Sequence, residues 1–250
     1  MCHSDVPPGQ TAVRVDRQDV RIPVSGGEMP GVLTGGDDMP AVLVLADMFG
    51  PTPFYAHLSA LLTAAGFRAL LPDFFFREGP VELGDVDAAF GRRQRLDETR
   101  SLDDLRSAIN WLGHGDDAAK VGLLGFCMGG TFALDLASTQ QQLTTVVYYA
   151  FPTLNEGLQL PPPAPIDLVD TLSGPVLSFW GDQDHFVGMD NVDAYAARAT
   201  EVNPDFSFEV LPGLGHAFLG DADLADPEDP AGGTWDRTLQ YFAKHLGGGS

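Results

Sequence analysis

Gly-Phe-Cys-Met-Gly-Gly, residues 125–130, follows the apolar run Val121–Leu124 and leads into a helix-forming run, Thr131–Ser138. The pattern predicts a strand, a sharp turn and a helix, with Cys127 at the apex. A nucleophile on so tight a turn has a strained backbone, and its neighbours must be small to avoid collision. The turn also sets the thiol at a helix N-terminus, where the dipole favours thiolate and backbone N–H groups face an incoming oxyanion. Two further residue types complete the chemistry. Asp182 and Asp184 follow an apolar run ending at Trp180, in Trp-Gly-Asp-Gln-Asp-His-Phe, and His216 lies in Pro-Gly-Leu-Gly-His-Ala-Phe after a run ending at Leu211. A thiol, a histidine to exchange its proton and a carboxylate to orient the ring are the parts of acyl transfer through a covalent intermediate. Each has a structural alternative: a buried cysteine packs as a small apolar group, an aspartate caps a turn, a histidine sits unremarkably in a glycine-rich loop. The chain order nucleophile, acid, histidine, with each member after a predicted strand, favours one joint site.

The elements that must hold these residues alternate in type. Ala12–Val15 and Val20–Val24 alternate apolar with polar residues, as half-buried antiparallel strands do, and the pairs Gly26-Gly27 and Gly35-Gly36 read as turns. From Ala41 the run Ala-Val-Leu-Val-Leu-Ala is continuously apolar, the signature of a parallel strand buried on both faces. Further strands are predicted at Arg68–Leu71, Val121–Leu124, Thr144–Tyr149, Val176–Trp180 and Phe206–Leu211. Helices are predicted at Phe54–Ala65, Leu96–Leu112, Val192–Ala199 and Thr234–Leu246, and Pro161–Pro165 reads as a loop. This order implies an α/β fold with a mostly parallel central sheet, helices on both faces and antiparallel strands at its N-terminal edge. Sheets of this kind hold ligands at the carboxyl ends of their strands, where all three candidate residues fall.

With 250 residues, 44% of them hydrophobic, the chain reads as one domain over residues 1–250, with residues 1–10 a mobile tail and residues 247–250 a flexible glycine-rich tail. Neither a transmembrane run nor a signal peptide is legible, and two cysteines make no disulfide framework, so the expectation is a cytoplasmic protein. Cys2 beside His3 has no second cluster at ligand spacing; the reading includes no metal and no cofactor. A net charge of −21 repels nucleic-acid phosphates and anionic lipid. The acids are mostly Asp and the bases mostly Arg, a bias that a GC-rich genome or salt adaptation would each produce.

Gly-Phe-Cys-Met-Gly-Gly, Gly-Asp-Gln-Asp-His-Phe-Val and Gly-His-Ala-Phe resemble the dienelactone hydrolase family, the carboxymethylenebutenolidases of the α/β-hydrolase superfamily. Leu-Ala-Asp-Met-Phe-Gly at 45–50, Leu-Pro-Asp-Phe-Phe-Phe-Arg at 71–77 and the opening Met-Cys-His are similar as well, so the likeness spans nearly the whole chain. The resemblance implies an α/β-hydrolase fold and hydrolysis of a small ester or lactone through Cys127, His216 and Asp184, the last favoured over Asp182. It implies an oxyanion hole from the backbone N–H groups of Met128 and Met48. Asp47 stands where the family usually has a Glu near the resting thiol, and there it would restrain the thiolate; the alternative is that it ends a strand and caps the next turn. Arg77 matches a position that binds a substrate carboxylate, with Phe49, Phe76 and Tyr149 as further pocket residues. The family's second arginine, four residues after the histidine, is Gly220 here. A broad short-chain carboxylesterase or thioesterase, and a non-catalytic thiol redox or ligand-binding protein, are the competing readings.

Overall fold

The computed structural model describes residues 3, 5–7, 10, 13–113, 120–140, 142–153, 163–226 and 228–247. Strands β1 (Arg17–Val24), β2 (Gly27–Thr34), β3 (Ala41–Leu45), β4 (Arg68–Pro72), β5 (Gly122–Phe126), β6 (Thr144–Tyr148), β7 (Val176–Gly181) and β8 (Phe206–Leu211) form one sheet of order β1-β2-β4-β3-β5-β6-β7-β8. The pairs β1–β2 and β2–β4 are antiparallel, and every pair from β4 to β8 is parallel. Helices α1 (Pro53–Ala64), α2 (Val86–Arg95), α3 (Glu98–Leu112), α4 (Met128–Thr139), α5 (Pro165–Leu168), α6 (Met189–Val202) and α7 (Gly233–Leu246) connect or follow them. This is the α/β-hydrolase fold. No helix among the described residues is long and apolar enough to cross a membrane.

Parallel β5 and β6 are buried at every position, which is why their sequences show no alternation. Chain order reverses around β3: the chain passes from β3 to β4 on one side and returns to place β5 on the other. The crevice above β3 and β5 is therefore the switch point at which such sheets bind ligands.

Several expectations move. Val13–Val15 are not in a strand, Ala12 lies outside the described residues, and β1 begins instead at Arg17. As an edge strand, β1 buries only Val20 and Ile22, so its first three residues need not be apolar. The segment between the two glycine pairs is strand β2. Helix α2 was not visible because only Ala89 and Arg92 are buried in it; Asp85 caps it by accepting from the Ala88 N–H. Helix α3 was visible because Leu102, Leu105, Ile109 and Leu112 form its buried stripe. Pro161 and Pro162 lie outside the described residues, while Pro165 opens the single turn α5. The expected mobile tail is corrected at His3, which is 4% exposed and bonded into the sheet's carboxyl rim.

Candidate active site

Cys127 sits between β5 and α4 at φ 53°, ψ −120°, in backbone that L-residues rarely adopt. Its glycine neighbours are required by contact. A Cβ on Gly125 would lie 2.5 Å from the Gly129 carbonyl oxygen, and one on Gly129 would strike the carbonyl oxygens of Ala46 and Leu45 at the end of β3. Only without those atoms does α4 start close enough to β3 for the rims of β3 and β5 to meet. Among the described residues four non-glycines have positive φ, and besides Cys127 they include Tyr149, after β6, and Ala217, beside His216. Strain is thus concentrated along one rim.

The histidine and carboxylate come together across the β7 and β8 ends. His216 Nδ1 is 2.7 Å from Asp184 Oδ2, with both side chains nearly buried. The other oxygen, Asp184 Oδ1, accepts from the N–H groups of Phe186 (3.0 Å) and Val187 (3.1 Å), so the carboxylate cannot rotate. Asp182 does different work: its Oδ1 accepts from the Gly213 N–H at 2.7 Å and ties the two loops together. Gln183 N–H to Leu214 O, at 2.9 Å, adds a second tie. Of the two aspartates only Asp184 meets the histidine.

Asp47, fully buried after β3, accepts from Phe49 N–H at 2.8 Å and from His3 N–H at 2.9 Å. Burial pushes its pKa up to about 6, against the pull of those two N–H groups, the Tyr55 hydroxyl and His216. Arg92 holds the neighbouring carbonyl: its Nη2 donates to Met48 O at 2.8 Å while the guanidinium lies 4.1 Å from the centre of the Phe75 ring. Bonds to both sides of the Met48–Phe49 peptide therefore immobilise this loop.

The pocket residues divide. Tyr149 is buried with its ring centre 5.1 Å from that of His216, and Phe49 is buried beside Asp47. Arg77 is tied to the protein itself. Its guanidinium pairs with both oxygens of the buried Asp104 on α3 and donates to Ser25 O at 3.1 Å, while also covering the Phe76 ring at 4.2 Å. A carboxylate of the protein is thus paired with this guanidinium, and Phe76 packs on it. Sequence reasoning missed His3 and Arg92. The opening Met-Cys-His was a signal for the first; Arg92 in a polar helix offered none. Among the described residues no group of three or more His, Cys, Asp or Glu is placed to hold a metal ion.

The family model described as the dienelactone hydrolase family matches residues 29–246. The chain belongs to the dienelactone hydrolase family. A carboxymethylenebutenolidase of Rhodococcus opacus is 33% identical, over 100% of this chain and 99% of its own length. Carboxymethylenebutenolidase 2 of Cupriavidus pinatubonensis is 32% identical, over 84% of this chain and 86% of its own. A solved structure from Klebsiella pneumoniae, provisionally named a dienelactone hydrolase, superposes with a TM-score of 0.80 at 26% identity, covering 92% of this chain and 99% of that one. As a dienelactone hydrolase family member, the protein is a hydrolase acting on esters or lactones.

Proposed function

We propose that this dienelactone hydrolase family member cleaves a small ester or lactone through a thioester on Cys127, with His216 and Asp184 completing a triad. The observation that carries the reading is the Cys127 turn, strained at φ 53° and tolerated only because Gly125 and Gly129 clear the space around it. The Asp184 bond fixes the proton of neutral His216 on Nδ1 and leaves Nε2 to exchange protons. Nε2 takes the thiol proton as Cys127 Sγ bonds to the carbonyl carbon. The tetrahedral oxyanion forms against the backbone N–H groups of Met128, first residue of α4, and Met48, whose loop Arg92 and Asp47 immobilise. The C–O bond then breaks, the leaving oxygen takes the proton from His216, and a thioester remains. Water yields its proton to Nε2, attacks the thioester carbon and releases the acid, and Cys127 recovers its proton.

The substrate class follows from Arg77. With Asp104 and Ser25 holding that guanidinium, and Gly220 in place of a second arginine, a neutral small ester or lactone fits better than a carboxylate-bearing one. We further propose a single domain across the one sheet. A reducing compartment such as the cytoplasm agrees with a reaction that needs Cys127 as a thiol. Rapid mixing with p-nitrophenyl acetate tests the mechanism. A burst of about one equivalent of nitrophenol, with acetyl trapped on the peptide carrying Cys127, is expected; turnover with no trapped acetyl would refute the covalent route.

A further inference from the structure

His3 makes more specific contacts than a chain terminus requires. Its N–H donates to Asp47 Oδ2 at 2.9 Å, its carbonyl accepts from Thr52 Oγ1 at 2.9 Å, and its Nε2 shares a hydrogen bond with the Tyr149 hydroxyl. The ring stacks on Phe54 with centroids 4.0 Å apart and planes 12° apart. On its other edge a Cβ at Gly220 would come within 2.6 Å of His3 Nδ1. The imidazole is therefore wedged among the loop after β3, the start of α1, the residue after β6 and the turn that follows His216. Those segments also surround the proposed triad, and Tyr149 touches both histidines.

We infer that His3 is a specificity-determining wall of the site, filling the space beside Tyr149 and Gly220 so that only a short substituent of the substrate is admitted there. The inference rests on the ester-hydrolase reading and adds its size limit. Burial above all holds the ring neutral, with a pKa lowered to about 3, so the wall carries no charge. Removing a buried side chain leaves space behind, and each substrate methylene that enters such space gains apolar burial.

The test is kcat/KM for two ester series, p-nitrophenyl acetate against hexanoate and ethyl acetate against benzyl acetate, in the full chain and its His3→Ala and His3→Gln variants. His3→Ala is expected to raise the longer-to-shorter ratio about tenfold in one series, while His3→Gln, which retains a polar partner for Tyr149, keeps the wild-type ratio. A change below fivefold in both series overturns the inference, because a purely structural role lowers all four substrates together. Should His3→Ala fail to fold, a chain lacking residues 1–5 is read in the same way. Failure of the underlying reading looks different: turnover that survives Cys127→Ala refutes the mechanism, whereas unchanged ratios in an enzyme dependent on Cys127 refute only the wall.

Discussion

Asp184→Asn changes one atom of the proposed triad, and the surrounding bonds dictate its effect. The N–H groups of Phe186 and Val187 both point at Oδ1, so the amide must keep its oxygen there. The reversed amide would face two buried donors with a third, at roughly 1–3 kcal/mol for each bond lost. In the allowed orientation Nδ2 points at His216 Nδ1 across 2.7 Å, and a donor there requires the ring nitrogen to be an acceptor. The imidazole proton moves to Nε2, the atom that must take the thiol proton. Loss of the productive tautomer lowers kcat by about 10⁴ in triads of this kind, which is about 5 kcal/mol of barrier. Steady-state hydrolysis of p-nitrophenyl acetate reads it, with kcat falling by about three to four orders, KM nearly constant and the melting temperature little changed. Asp182→Asn keeps the acceptor for Gly213 and stays within a few-fold of wild type. A kcat for Asp184→Asn within tenfold of wild type, or a greater loss for Asp182→Asn, would refute the assignment.

Arg77→Ala leaves Asp104 buried without its cation, and we expect a loss of about 3–5 kcal/mol of stability in urea unfolding. Its kcat/KM for a carboxylate-bearing lactone and a neutral ester should fall by the same factor; a selective loss on the anion would return Arg77 to the pocket. The pH dependence of stability has two opposed contributions at the rim. The folded pKa of His3, about 3, is below its ordinary 6.5, so it contributes stability that is complete above pH 6.5 and is lost toward pH 3. That of Asp47, about 6, is above its ordinary 3.8, so its contribution is complete below pH 3.8 and is lost as pH rises through 6. Between about pH 4 and 6 they cancel in part. Asp47→Asn removes the second, and its melting temperature should drop more steeply than wild type on acidification from pH 6 to 4; parallel slopes would refute the assignment.

The sequence made the site's centre legible because its chemistry is tied to local pattern. Gly125 and Gly129 announce Cys127, and the parallel strands β5, β7 and β8 deliver it with Asp184 and His216 to one rim. Contacts formed across long sequence separation were not legible. Arg77 pairs with Asp104 because α3 packs beside the β1–β2 turn, a matter of tertiary placement that no local pattern encodes. His3 is reached only when the first residues fold back over the rim, and a short polar segment reads as a tail until its partners, Asp47 and Tyr149, are in place. Helix α2, buried at only two positions, has no apolar stripe to reveal it.

The central claim is that Cys127 carries the acyl group. Its most direct measurement is ester turnover by Cys127→Ala beside Cys127→Ser, each first matched to wild type in melting temperature. The alanine variant should retain the fold, show no burst and fall to the uncatalysed rate, while serine, with its far higher pKa, should retain at most a small residual activity through His216. Turnover by Cys127→Ala close to that of the wild-type protein would contradict the account.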